Sequence, residues 1–123
     1  MTAETESRRR VLLVEDEALI AMLMEDMLGE FDCEVVATVG ELGPAIEAAS
    51  TQPIDLAFLD VNLHGVPVYP VAEVLRTRGI PYAFVTGYGS AGTQGEHGDV
   101  PVLQKPFQTQ ELAAIVERLR PQR

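Results

Sequence analysis

The sequence predicts an α/β domain on an open, largely parallel sheet, and three observations predict it. Short apolar runs recur at residues 11–14, 35–39, 54–59, 80–85 and 100–103. Four of the five are continuous rather than alternating, with β-branched or aromatic residues throughout, as strands covered on both faces require. Between most of them lie stretches whose apolar residues recur at three and four, the period of amphipathic helices. A βα, βα, βα, β-loop, βα order follows, with right-handed crossovers.

The first strand, Val11-Leu12-Leu13-Val14, stops at Glu15-Asp16-Glu17. Leu19, Ile20, Leu23, Met24, Met27 and Leu28 then form one broad helical face that ends at Gly29. After the second strand a short helix is expected over 44–49, with Pro44 in its first turn. The third strand leads to a helix over 68–78, with Gly79 placed for a left-handed cap. After the fourth strand, residues 87–99 hold five of the ten glycines. Each glycine costs a helix about 1 kcal/mol relative to alanine, so a loop is expected there. The fifth strand precedes a last helix marked by Leu112, Ile115, Val116 and Leu119. Residues 1–8 and 121–123 read as tails around one domain over 9–120.

Charge narrows the function. The 123 residues carry 19 Asp plus Glu against 9 Lys plus Arg, a net charge of -10. That balance argues against nucleic acid as the main ligand, which needs clustered basic residues. Arg8-Arg9-Arg10 reads as a solvated tail entering a strand. No apolar run reaches a membrane span and no signal-peptide pattern is present, so a cytoplasmic protein without membrane contact is expected. Cys33 stands alone between Asp32 and Glu34, which raise a thiol pKa, and reads as structural.

In open parallel sheets ligands collect at the carboxyl ends of the strands. Those positions hold Glu15 and Asp16 after the first run, Asp60 after the third, Thr86 after the fourth and Lys105 after the fifth; the second ends in Gly40-Glu41 and contributes no obvious chemistry. Acids before a helix are often simple N-caps, and threonine favours strands anyway. Asp60 behind Phe58-Leu59 is harder to dismiss, and Lys105 is the chain's single lysine, set between an apolar strand and Pro106-Phe107. Three converging carboxylates invite a hard cation, for which Mg²⁺ suits. With a hydroxyl and an ammonium facing an anion, the set describes a phosphoryl-binding site in which Asp60 is free to act as nucleophile.

These pieces, Val11-Leu12-Leu13-Val14-Glu15-Asp16-Glu17, Leu59-Asp60-Val61-Asn62-Leu63, Thr86-Gly87 and Lys105-Pro106-Phe107, resemble the receiver domain of bacterial two-component response regulators, across nearly the whole chain. The resemblance implies a flavodoxin-like five-stranded parallel sheet of order 2-1-3-4-5, with helices on both faces and the fourth helix short or replaced by the glycine-rich loop. It implies that Asp60 takes a phosphoryl group from a phosphohistidine of a sensor histidine kinase. Mg²⁺ would be held by Asp16, Asp60, the Asn62 backbone carbonyl and, through water, Glu15. Thr86 and Lys105 would bind phosphoryl oxygens. Gly87 would leave room for phosphate and water, and Asn62 would help to set the acyl phosphate's lifetime.

Two features depart from the common pattern: Val102 stands where many receivers carry a switch aromatic, and the glycine-rich loop is expected where many have a fourth helix. Both, with Phe84-Val85-Thr86-Gly87-Tyr88-Gly89, resemble the FATGUY subgroup, whose members tend to be single-domain and to pair with kinases of the HWE type. Since no DNA-binding or catalytic segment follows Leu119, a phosphoacceptor that is not a turnover enzyme is expected, signalling to a downstream protein as a monomer or weak dimer. The signal is expected to travel through ordering of residues 87–99, and the first helix, with Met22, Met24 and Met27 nearby, offers a docking face for the kinase.

Rival readings fail on particular residues. Gly87, Gly89 and Gly92 spell a dinucleotide fingerprint, but no helix follows and the next strand ends in Lys105 rather than an acid. Asp60, Asn62, His64 and Gly65 imitate a calcium loop whose twelfth position is Val71, not glutamate. An aspartate phosphatase wants an acid where Asn62 stands. His64 and His97 read as isolated loop residues. A receiver fold that signals by association without phosphorylation is the serious alternative; Asp16, Asp60 and Lys105 weigh against it.

Overall fold

Alternation along the buried strands divides the core into two layers, one on each face of a single sheet. The structure, a computed structural model, describes residues 8–87 and 99–120. The elements are β1 (Arg9–Val14), α1 (Ala18–Gly29), β2 (Cys33–Val39), α2 (Leu42–Thr51), β3 (Leu56–Asp60), β4 (Asn62–Leu63), β5 (Val66–Pro67), α3 (Tyr69–Arg78), β6 (Tyr82–Thr86), β7 (Val102–Gln104) and α4 (Thr109–Arg118). Strands β2, β1, β3, β6 and β7 pair in parallel in that order, so the expected 2-1-3-4-5 flavodoxin-like arrangement holds once the short β4–β5 pair is set aside. The glycine-rich stretch expected in place of a fourth helix, with Tyr88 and His97, lies outside the described residues, as do the tails at 1–7 and 121–123.

Leu12, Val14, Ala57, Leu59, Tyr82 and Phe84 face α2 and α3. Their neighbours Val11, Leu13, Leu56, Phe58, Ala83 and Val85 face α1 and α4. Both β3 and β6 are buried along their full length, which is why their sequences read as unbroken apolar runs. Strand bounds shift by one or two residues from the apolar runs, because Ile54, Ile80 and Val100 pack on the core before ladder pairing begins. Gly79 caps α3 at φ 75°, the left-handed conformation expected of it. At α4, the Gln108 N–H donates to the Glu111 side chain at 2.7 Å. The Lys105–Pro106 peptide is cis. Among the described residues no helix is long and apolar enough to cross a membrane.

The structure corrects two local readings. Arg9 is not a solvated tail residue: its guanidinium donates to the Val116 and Leu119 carbonyls at 2.9 and 2.8 Å, tying the C-terminus of α4 to the start of β1. Arg10 pairs with Asp55. The Cys33 thiol is raised chiefly by burial, with Asp32 a minor contributor.

Phe58, fully buried at the centre of β3, fills the layer beneath α1 and α4. Phe58→Ala is expected to destabilise the fold by about 3–5 kcal/mol, read as a lower midpoint in chemical denaturation with an unchanged slope.

Candidate functional site

Parallel pairing brings the carboxyl ends of β1, β3, β6 and β7 to one edge, and the residues there depart from the apolar rule of the core. Among the described residues, the buried polar or charged side chains are Glu15, Asp60 and Thr86, each at or just past a strand end. Burying such groups is costly unless they are partnered. Carboxylate oxygens of Glu15, Asp16 and Asp60 lie within 4.8 Å of one another. Into that cluster reaches Lys105, whose Nζ stands 3.2 Å from Glu15, 3.1 Å from Glu17 and 3.4 Å from Asp60. The lysine is positioned by the ladder itself, since its backbone N–H donates to the Thr86 carbonyl at 2.9 Å. Asp60 accepts the Asn62 N–H at 3.2 Å.

A cleft of about 660 Å³ opens over these groups, lined by Asp16, Glu17, Asp60, Asn62, His64, Gly65, Gly87 and Lys105. Of the residues singled out in the sequence, Glu15, Asp16 and Asp60 converge within 4.8 Å, and Lys105 contacts Glu15 and Asp60. Asn62 and Gly87 line the cleft, and a Cβ on Gly87 would meet nothing within 4 Å. Thr86 is buried at the end of β6 and does not line the cleft.

Three contributors escaped the sequence reading. Glu17 contacts the lysine. His64 is not isolated: its N–H donates to Asp16 Oδ2 at 2.9 Å and its Nδ1 lies 3.4 Å from the same oxygen. This follows from the β4–β5 pair, whose turn residues His64 and Gly65 both have positive φ, 50° and 86°, as a tight two-residue hairpin requires. His-Gly between Leu63 and Val66 was the available signal. Gly40, which seemed to contribute nothing, sits so close that a Cβ would lie 3.3 Å from both the Asp16 Cα and the Glu15 carbonyl oxygen.

Electrostatics leave the site short of positive charge. Burial, reinforced by the Asp60 charge, pushes Glu15 up to about 7. Burial also raises Asp60, against the Asn62 N–H and Lys105. Asp16 is held below its usual value because the His64 N–H and its neighbours outweigh its partial burial. Burial works against the Lys105 charge, but Glu15, Glu17 and Asp60 more than offset it, so the ammonium titrates above its usual range. Glu15 Oε1, fully buried, lies 3.2 Å from the Lys105 ammonium that it shares with Glu17 and Asp60. All-oxygen donors and excess negative charge fit a hard divalent cation such as Mg²⁺.

The family model of the response regulator receiver domain matches residues 11–117. The transcriptional regulatory protein PdtaR of Mycobacterium tuberculosis is 31% identical over 115 residues, covering 89% of this chain and 55% of that protein. The chain thus spans about half the length of the curated relatives it matches. Among solved structures, SdrG from Sphingomonas melonis Fr1 superposes with a TM-score of 0.82 at 42% identity, covering 91% of this chain and 96% of that one. SdrG in its BeF3-activated conformation superposes with a TM-score of 0.77, at 42% identity and with 92% and 98% of the two chains covered. The receiver domain of the sensor histidine kinase PA1611 from Pseudomonas aeruginosa PAO1, solved with a magnesium ion coordinated in its active site cleft, gives 0.78 at 26% identity, covering 92% of this chain and 98% of that one.

Glu15 binds a proton more tightly folded, near 7, than at its ordinary value of 4.5, so its stabilising contribution is complete below about 4.5 and lost as pH rises through about 7. Asp60 is shifted in the same direction. In chelator, the thermal midpoint should therefore fall between these pH values, and Glu15→Gln should flatten the profile. Mg²⁺ at a hundred times its Kd should restore about 2.7 kcal/mol at pH 7.5. Gly40→Ala meets backbone atoms that cannot swing aside, so it should weaken Mg²⁺ binding measured by titration calorimetry, whereas Gly43→Ala, where a Cβ meets nothing, should not.

Proposed function

Because the chain belongs to the response regulator receiver domain family, we propose that it is a phosphoacceptor in which Asp60 takes a phosphoryl group from a sensor histidine kinase. The observation that carries this reading is the convergence of three carboxylates and Lys105 at one sheet edge, with Asp60 both nearly buried and open to the cleft. An Asp60 oxygen attacks phosphorus; a P–O bond forms as the donor's P–N bond breaks, its electron pair returning to the imidazole nitrogen. Later attack by water returns Asp60 and releases inorganic phosphate.

Mg²⁺, held by Asp16, Asp60, the Asn62 carbonyl and Glu15 through water, would neutralise the charge on the transferring oxygens; the magnesium ion in the PA1611 receiver supports it. Lys105 receives a phosphoryl oxygen, and the family resemblance gives the same role to the Thr86 hydroxyl, which is buried at the end of β6 next to the cleft-lining Gly87, while the Asn62 N–H holds Asp60 for attack. The chain thus acts as a signalling protein rather than a turnover enzyme. A net charge of -10 favours a protein rather than nucleic acid as its output, in the cytoplasm, with the chain a monomer or weak dimer. The resemblance of residues 84–89 to the FATGUY subgroup supports a kinase of the HWE type.

The first turns of α1, directly after Glu17, give the kinase a surface. Leu19, Met22 and Leu23 are 81%, 60% and 46% exposed, whereas Met24 is buried and Met27 packs on the core. The docking face therefore comprises the first three, not Met24 and Met27.

Labelling by a small phosphodonor should require Mg²⁺ and vanish in Asp60→Ala; labelling that survives this substitution overturns the assignment. Lys105→Ala should still accept phosphate yet lose the accompanying change in amide exchange. Met22→Asp should slow transfer from the kinase about tenfold, the scale of one interface anchor, and leave small-donor labelling intact.

A further inference from the structure

Glu17 occupies the N-cap of α1 but does not cap it. Its side chain makes no hydrogen bond to the helix N–H groups. Glutamate is not a preferred capping residue either; the shorter Asp, Asn, Ser and Thr are. The carboxylate instead extends to Lys105, 88 residues away in sequence, and makes the shortest of the lysine's three acid contacts, at 3.1 Å. The three acids differ in exposure: the side chains of Glu15 and Asp60 are 1% and 9% exposed, that of Glu17 63%. Two partners are fixed in the floor of the site, and the third reaches in from the rim.

We propose that Glu17 is a positioning residue that holds Lys105 in the unphosphorylated protein and competes for it with the phosphoryl group on Asp60. The inference rests on the phosphoacceptor reading above. An ammonium has three protons, and here three carboxylates face it. Phosphorylation converts the Asp60 carboxylate into an acyl phosphate whose charged oxygens extend into the cleft, which Glu17 and Lys105 line and Glu15 does not. Glu15 is fixed in the floor, so the phosphoryl oxygens meet the exposed Glu17 carboxylate at the ammonium, Glu17 is the partner that yields, and each phosphorylation is opposed by the contact it breaks. Glu17 thereby lowers the affinity of the site for a phosphoryl group without touching that group itself.

Beryllofluoride with Mg²⁺, a phosphoryl mimic, tests this on the full chain. Glu17→Asp keeps the charge but draws the carboxylate back by about one C–C bond, roughly 1.5 Å, beyond hydrogen-bond reach of Lys105. Glu17→Gln keeps the reach and removes the charge. Glu30→Gln, at the far end of α1, controls for net charge. Both Glu17 variants should bind beryllofluoride about three- to fivefold more tightly than the wild type, the scale of one exposed ion pair. Glu30→Gln should match the wild type, and Mg²⁺ affinity should be unchanged in Glu17→Asp. A purely structural role would appear as a higher thermal midpoint in Glu17→Asp, a better cap, with unaltered beryllofluoride binding, and would overturn the proposal. So would tightening in Glu17→Gln alone, since the effect would then be charge at a distance. If the wild type binds no beryllofluoride, the phosphoacceptor reading fails and this inference falls with it; if the wild type binds and all variants match it, this inference alone fails.

Discussion

One ammonium stands among carboxylates that the fold has buried, and much of the molecule is arranged around that fact. Glu15 and Asp60 are nearly inaccessible, and among the described residues Lys105 is the cation within reach of both. A single positive charge cannot neutralise Glu15, Asp16, Asp60 and Glu17 together. The remaining imbalance appears as the raised Glu15 and Asp60 carboxyls. Low local dielectric enlarges the imbalance, so a divalent cation gains more here than at an exposed acid cluster.

The rest of the fold keeps these groups from relaxing apart. Asp60 ends a strand buried along its full length, with Leu59 and Phe58 locked into opposite layers of the core. Glu15 follows directly on β1, and its N–H donates to the Val39 carbonyl at 2.9 Å, so its backbone cannot retreat. Gly40 lets the end of β2 close against Glu15 and Asp16. The β4–β5 hairpin, anchored by buried Leu63, presents the His64 N–H to Asp16. Strain that would otherwise separate like charges is carried by backbone contacts on several sides.

Legibility in the sequence followed this division. Groups fixed by strand ends could be read, because an apolar run that stops at an acid or a lysine marks both the strand and the edge it reaches; Glu15, Asp16, Asp60 and Lys105 were found this way. Groups brought in by close approach could not. Nothing in Val39-Gly40-Glu41 states that the glycine will face Asp16, since only the packed backbone creates the contact. His64 depends on a two-residue turn inside a segment too short for periodicity to register. Glu17 was visible as an N-cap, and its actual partner, 88 residues away, was not. Arg9 likewise read as tail because its partners are carbonyls of a helix at the other end of the chain.

The use of basic residues follows the same logic. Arginine appears where a bond is to be kept: Arg9 on the carbonyls of α4, Arg10 on Asp55, Arg78 on the carbonyls of Ala49 and Gln52. Its planar, branched donor set commits to a fixed acceptor geometry. Lysine, a compact charge on a flexible stem, can keep three acceptors and change one without losing the others. A site whose occupant arrives and leaves needs that property, and a guanidinium at position 105, paired bidentately with one carboxylate, would resist the exchange. The lone lysine beside eight arginines suits the exchange proposed for this edge of the sheet, while Arg9, Arg10 and Arg78 hold the fold that presents it.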